Sequence, residues 1–205
     1  MITTEIKGIP LEFITNSGVF SPSGVDKGTL SMLSKVEFLP TDKVLDLGCG
    51  YGVVGILASK LIGEHRVIMC DISEDALELA KRNAVQNGLV GENIFKSDGL
   101  DGITEDDFTL ILSNPPYNAD FSVAKRFIEK GFTKLASGGK MIMVTKRCEW
   151  YRNKLKAIFG NIRVDSIEGY YVFTSEKTSR SVYKKQKEKR RLSKKLEQKL
   201  KKRKR

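Results

Sequence analysis

The chain has 205 residues, 40% of them hydrophobic, which suffices for one domain with a core of its own. No apolar run approaches the roughly 18 residues of a spanning helix, and three scattered cysteines with a single histidine argue against a disulfide framework or a zinc site. The net charge of +11 is concentrated, since residues 176–205 hold 16 Lys and Arg against 3 Asp and Glu while the remainder carries a net −2.

The first residues lack the basic-then-apolar layout of a signal peptide, so a cytoplasmic protein is expected. Ile9–Phe13 reads as a short strand. Ser17-Gly18-Val19-Phe20-Ser21-Pro22-Ser23-Gly24 is rich in turn formers and reads as a loop. Asp26 is placed to cap a helix running towards Val36, and Pro40 closes this first segment. Strands and helices then alternate. Strands are expected at residues 43–47 (KVLDL), 66–70 (RVIMC), 93–96, 109–113 (TLILS) and 140–145 (KMIMVT). Between them, helices are expected at residues 53–62, at 74–86 behind the cap Ser73, at 122–135 and at 150–159. Ser137-Gly138-Gly139 reads as a turn, and residues 163–167 and 170–174 as an antiparallel hairpin around Glu168-Gly169. This order predicts an α/β fold, a mostly parallel sheet of seven strands with helices on both faces. The tail repeats Leu192, Leu196 and Leu200 every four residues, but its charge opposes folding, so it is expected to be disordered or partly helical.

A parallel sheet binds ligands at the carboxyl ends of its strands. Asp46-Leu47-Gly48-Cys49-Gly50-Tyr51-Gly52 ends the first such strand and opens a helix, and Asp71 ends the next strand, 23 residues after Gly48. Glycines let the backbone turn and approach a ligand closely, and a carboxylate at position 71 can accept hydrogen bonds from ribose hydroxyls. Gly50-Tyr51-Gly52-Val53-Val54-Gly55 also matches the dinucleotide pattern G-x-G-x-x-G. The carboxylate of Asp46 suits a cationic ligand better than a pyrophosphate.

Asn114-Pro115-Pro116-Tyr117 follows the strand at 109–113, on the same edge of the sheet. An amine conjugated to a ring or carbonyl is a poor nucleophile. The Asn114 side-chain oxygen and the Pro115 carbonyl can hold its hydrogens, so that the lone pair faces an electrophile. The prolines fix the backbone, and Tyr117 offers a flat face for stacking.

Together these segments resemble class I S-adenosylmethionine-dependent methyltransferases. The stretch Val44-Leu45-Asp46-Leu47-Gly48-Cys49-Gly50-Tyr51-Gly52 is similar to their first motif, and Asn114-Pro115-Pro116-Tyr117 to that of enzymes methylating adenine N6, guanine N2 or a glutamine amide. Gly18-Val19-Phe20-Ser21 with Asp26-Lys27-Gly28-Thr29 resembles the "methyltransferase small" family of bacterial rRNA guanine-N2 enzymes. The resemblance implies a Rossmann-like fold. It implies that S-adenosylmethionine is held by Asp46, Gly48, Gly50, Gly52, Asp71, Ile72, Asp98 and Asn114, with Asp71 on the ribose, Ile72 on the adenine ring and Asp98 on the adenine amino group. Asp98-Gly99 is equally a common turn pair. Catalysis would fall to Asn114, Pro115, Pro116 and Tyr117, acting on an exocyclic base amine of RNA, with guanine N2 of ribosomal RNA as the leading substrate. No metal and no membrane partner are expected. Protein glutamine amides, adenine N6 and a nicotinamide-dependent oxidoreductase stay open as alternatives. The organisation expected is a covering segment at 1–40, a catalytic domain at 41–175 and a basic tail at 176–205 that binds RNA phosphates.

Overall fold

The computed structural model describes residues 1–16, 21, 24–116 and 120–178. The expectations for Gly18-Val19-Phe20, for Tyr117 and for the tail beyond residue 178 lie outside these residues. Strands β1 (Ile2–Ile6) and β2 (Ile9–Phe13) form an antiparallel hairpin closed by Lys7-Gly8. Both turn residues have positive φ, +54° and +76°, as a two-residue hairpin matched to strand twist requires. The β1 strand is an addition to the sequence reading. Helix α1 (Lys27–Leu33) follows, capped by Asp26 as expected.

The main sheet is built from β3 (Val44–Leu47), β4 (Val67–Asp71), β5 (Ile94–Lys96), β6 (Phe108–Ser113), β7 (Leu135–Thr145), β8 (Arg163–Ile167) and β9 (Tyr170–Glu176). Their spatial order is β5-β4-β3-β6-β7-β9-β8. All pairings from β5 to β7 are parallel, and those of β9 with β7 and β8 are antiparallel. The sheet is therefore seven-stranded and mostly parallel with an antiparallel C-terminal hairpin. Side chains alternate between two cores. Helices α1, α2 (Val53–Ile62) and α3 (Glu74–Gln86) cover one, which includes Val44, Leu110, Leu112, Ile142 and Val144. Helices α4 (Phe121–Lys134) and α5 (Cys148–Phe159) cover the other, which includes Leu45, Leu47, Ile111, Met141 and Met143.

One expectation is corrected. Ser137-Gly138-Gly139 is not a separate turn; it belongs to β7, and α4 stops at Lys134. The backbone there is held by long-range pairing, from Gly138 N–H to the Lys177 carbonyl and from Lys177 N–H to the Gly139 carbonyl, each 2.8 Å. The register with β6 shifts between Phe108 and Leu110, a bulge. A Cβ at Gly139 would lie 2.7 Å from the Phe108 carbonyl oxygen, so the glycine is there for close approach.

The strand order reverses between β3 and β6. At this switch point the loops leaving adjacent strands part to opposite faces and open a crevice. The glycine loop leaves β3 and Asn114-Pro115-Pro116 leaves β6, so the two motifs face one another across it.

Candidate active site

The loop after β3 is shaped by Gly48, Gly50 and Gly52 at φ +77°, +55° and +99°. These are left-handed conformations that residues with a Cβ adopt at a cost. Gly48 N–H and Cys49 N–H both donate to the Cys70 carbonyl at 2.9 Å, which ties the loop to the end of β4. Gly50 N–H donates to Asp71 Oδ2 at 2.9 Å, and Ser73 N–H donates to Asp71 Oδ1 at 2.9 Å. Asp71 thus braces the loop and the turn into α3 at once. Ile72 is 62% exposed and lines the cavity, so its side chain is open to a ligand there.

Asp46 lies within β3 and is buried among apolar residues. Helix α2 begins at Gly52, which offers no side chain to cap it. Asp46 supplies the cap from the neighbouring strand, since its Oδ2 accepts from Gly55 N–H at 2.8 Å. Burial pushes its carboxyl up to about 7, against the pull of the Gly55 amide, and the charge of Asp71 adds to the rise. The thiols of Cys49 and Cys70 are free, and burial lifts both, Cys70 to about 12 and Cys49 well above its ordinary value. They stay protonated and unreactive near neutral pH.

Asp98 is half-exposed and clasped in a two-pronged ion pair by Arg126, with N–O distances of 2.8 and 2.9 Å. Hydrogen bonding to that guanidinium holds its carboxyl below the usual range. Sequence reading foresaw no such partner.

Ser113 Oγ donates to the Leu47 carbonyl at 2.8 Å, which ties the end of β6 to the end of β3. Beyond it, Asn114 Nδ2 donates to Asp26 Oδ2 at 2.8 Å and to Thr29 Oγ1 at 3.0 Å. What this amide can offer a ligand is its acceptor end, Oδ1. Asp26 and Thr29 were missed as site residues. In the sequence Asp26 is legible as a helix cap and, with Thr29, as part of a family-like segment; its second partner lies 88 residues away.

A single cavity of about 400 Å³ gathers these groups. Asp46, Gly48, Gly50, Asp71, Ile72 and Asp98 line one side; Asn114, Pro115, Pro116, Asp26 and Thr29 line the other. Gly52 does not reach it and serves as the start of α2. The volume suits a nucleoside-sized ligand. The lining carries four carboxylates (Asp26, Asp46, Asp71 and Asp98) against Arg126, which is already paired. Such a wall favours a cation and repels a pyrophosphate.

A glycine loop at the switch point of a parallel sheet, with an acidic residue closing the next strand, defines a Rossmann-like nucleoside-binding domain. The chain belongs to the methyltransferase small domain family, whose sequence pattern matches residues 10–174. Ribosomal RNA small subunit methyltransferase C of Pseudomonas putida (strain GB-1) is 30% identical over 169 residues, covering 80% of this chain and 50% of that protein. The chain spans about half the length of that relative. YbxB of Bacillus subtilis (strain 168) is 31% identical over 171 residues, covering 80% of this chain and 85% of the relative. Among solved structures, the T. thermophilus 16S rRNA N2 G1207 methyltransferase (RsmC), in complex with AdoMet and guanosine, superposes with a TM-score of 0.76 at 25% identity. That match covers 85% of this chain and 49% of the other.

Proposed function

We propose that this chain transfers a methyl group from S-adenosylmethionine to an exocyclic base amine of RNA, guanine N2 of ribosomal RNA. The observation that carries the proposal is the juxtaposition, in one acid-lined cavity, of the glycine loop with an Asn114 amide whose Nδ2 is already committed to Asp26 and Thr29. The substrate class is supported by the T. thermophilus neighbour, described with guanosine. The cavity suits the cofactor on three counts: acidic walls for its cationic groups, Asp71 beside Gly50 for the ribose, and exposed Ile72 for the adenine face.

When bound, S-adenosylmethionine supplies an electrophilic methyl group. The protein's part is orientation. Asn114 Oδ1 and the Pro115 carbonyl accept the two hydrogens of the substrate amine, which turns its lone pair towards the methyl group. No base is required before attack, because the amine sheds its proton after it becomes positively charged. The carbonyl of Pro115 is held in place by Pro116 and by the Ser113 anchor on β3. Tyr117, by its place in the motif, stacks on the base. Asp98, through its Arg126 clasp, borders the adenine amino group. Residues 41–175 carry the chemistry, residues 1–40 cover it, and the basic tail adds phosphate affinity in the cytoplasm, where ribosomal RNA resides.

The test is transfer of radiolabelled methyl to ribosomal RNA, with nucleoside mass mapping of the product. N2-methylguanosine is expected, and ribonuclease should abolish acceptor activity. Acceptance by protein that survives ribonuclease would point to a glutamine amide and overturn the proposal. Asn114→Ala should lower turnover by at least about 100-fold while leaving S-adenosylhomocysteine affinity within about threefold.

A further inference from the structure

Asp26 and Thr29 stand on α1, outside the strand-end loops that build the rest of the cavity, yet both touch Asn114. An asparagine amide has two orientations that differ only by exchange of nitrogen and oxygen. Only one of them lets Asn114 hold an amine, because the other presents hydrogens to hydrogens. We infer that Asp26, with Thr29, is a positioning residue that sets the polarity of the Asn114 amide and so directs its Oδ1 to the substrate. This rests on the reading that Asn114 orients the acceptor amine.

The argument is one of donor and acceptor accounting. An ionised carboxylate accepts and cannot donate, so it selects Nδ2 over Oδ1. A threonine hydroxyl can do either, but Thr29 Oγ1 lies 3.5 Å from Asp26 Oδ2 as its donor. Its proton is drawn to the carboxylate, which leaves its lone pairs to Asn114 Nδ2. Both neighbours therefore act as acceptors for one end of one amide. A flipped Asn114 would set its oxygen against a carboxylate oxygen.

The segment bearing Asp26 is itself anchored to the glycine loop. Asn83, fully buried, accepts from Ile14 N–H at 2.6 Å and donates to the carbonyls of Ile14 and Tyr51. The Tyr51 hydroxyl donates to the Gly24 carbonyl at 3.4 Å. Asp26 is thus held from a residue of the loop that faces it across the cavity.

The discriminating variant is Asp26→Gly in the full chain. Asp26 Oδ2 accepts from both Thr29 N–H and Asn114 Nδ2, and glycine removes that acceptor while still serving as a helix cap at small cost. Asp26→Gly is expected to lower kcat on ribosomal RNA about 10- to 100-fold. Asp26→Asn, whose cap oxygen takes the same place, should recover most of the rate. In Asp26→Gly the KM for S-adenosylmethionine should stay within about twofold. Thr29→Val should lower kcat in the same way, and Thr29→Ser should recover most of the rate. In a ¹H–¹⁵N spectrum the Nδ2 protons of Asn114 should exchange slowly in the parent protein and faster in Asp26→Gly. Parent-like turnover in Asp26→Gly, or identical exchange of the Asn114 amide in both proteins, would overturn the inference. If the parent protein transfers no methyl to RNA, the functional proposal fails separately, and the exchange measurement still decides the role of Asp26.

Discussion

At Asp46, burial and function pull protonation in opposite directions. Burial favours the neutral acid, whereas the Gly55 N–H that it caps and a cation in the cavity that it faces both favour the carboxylate. With its carboxyl raised from 3.8 to about 7, the native protein retains a proton that the unfolded chain has already lost above pH 4. Stability from this group therefore falls as pH rises from about 4 to 7 and is level beyond, a loss of at most about 4 kcal/mol. Urea unfolding at pH 5 and pH 7.5 should show a smaller loss in Asp46→Asn than in the parent; equal losses would place the titration elsewhere. S-adenosylmethionine should also bind more tightly as pH rises from 6 to 8, and calorimetry on Asp46→Asn should find that trend flattened. The presence of an acid at this position was legible from the motif. Its capping of α2 was not, because the donor lies a turn into the next helix.

At the scale of elements, α3 does more than cover the sheet. Asn83 and Asn87 stand one turn apart and present amides to the backbone of β2 and the residue after it. Asn87 accepts from Glu12 N–H at 3.1 Å and donates to the Glu12 carbonyl at 2.7 Å, while Asn83 serves Ile14 in the same way. The two side chains act as a surrogate strand for one side of the N-terminal hairpin. Asn83→Ala would remove the partner of Ile14 N–H, of the part-buried Ile14 carbonyl and of the buried Tyr51 carbonyl, so a destabilisation of about 2–4 kcal/mol is expected by chemical denaturation. Asn87→Ala, at the partly exposed end, should cost about 1–2 kcal/mol. If both changes proved neutral, the hairpin would be held by its apolar side chains, chiefly Ile6, Leu11 and Phe13 in the core. Apolar periodicity located α3 well. Two asparagines on its inner face carried no such signal, since asparagine is ordinarily an exposed or turn residue.

Across the whole molecule, charge and chemistry are separated in the chain. The cavity is acidic, whereas residues 176–205 carry a net +13. An acidic cavity favours the cationic cofactor and does nothing for a polyanion, so removal of residues 179–205 should weaken RNA binding and reduce its salt dependence while leaving S-adenosylhomocysteine affinity unchanged. Filter binding across a salt series would measure both slopes; identical slopes would remove the tail from RNA contact. The alternation of strands and helices, the glycine loop, Asp71 and Asn114-Pro115-Pro116 were all readable along the chain, because each depends on local periodicity or on a turn with its own residue chemistry. The partnerships of Asn114 with Asp26, of Asp98 with Arg126 and of Asn83 with Ile14 span 88, 28 and 69 positions. They exist only because the crossover connections return distant segments to one edge of the sheet, and hydrogen bonds formed that way leave no periodic trace in the order of residues.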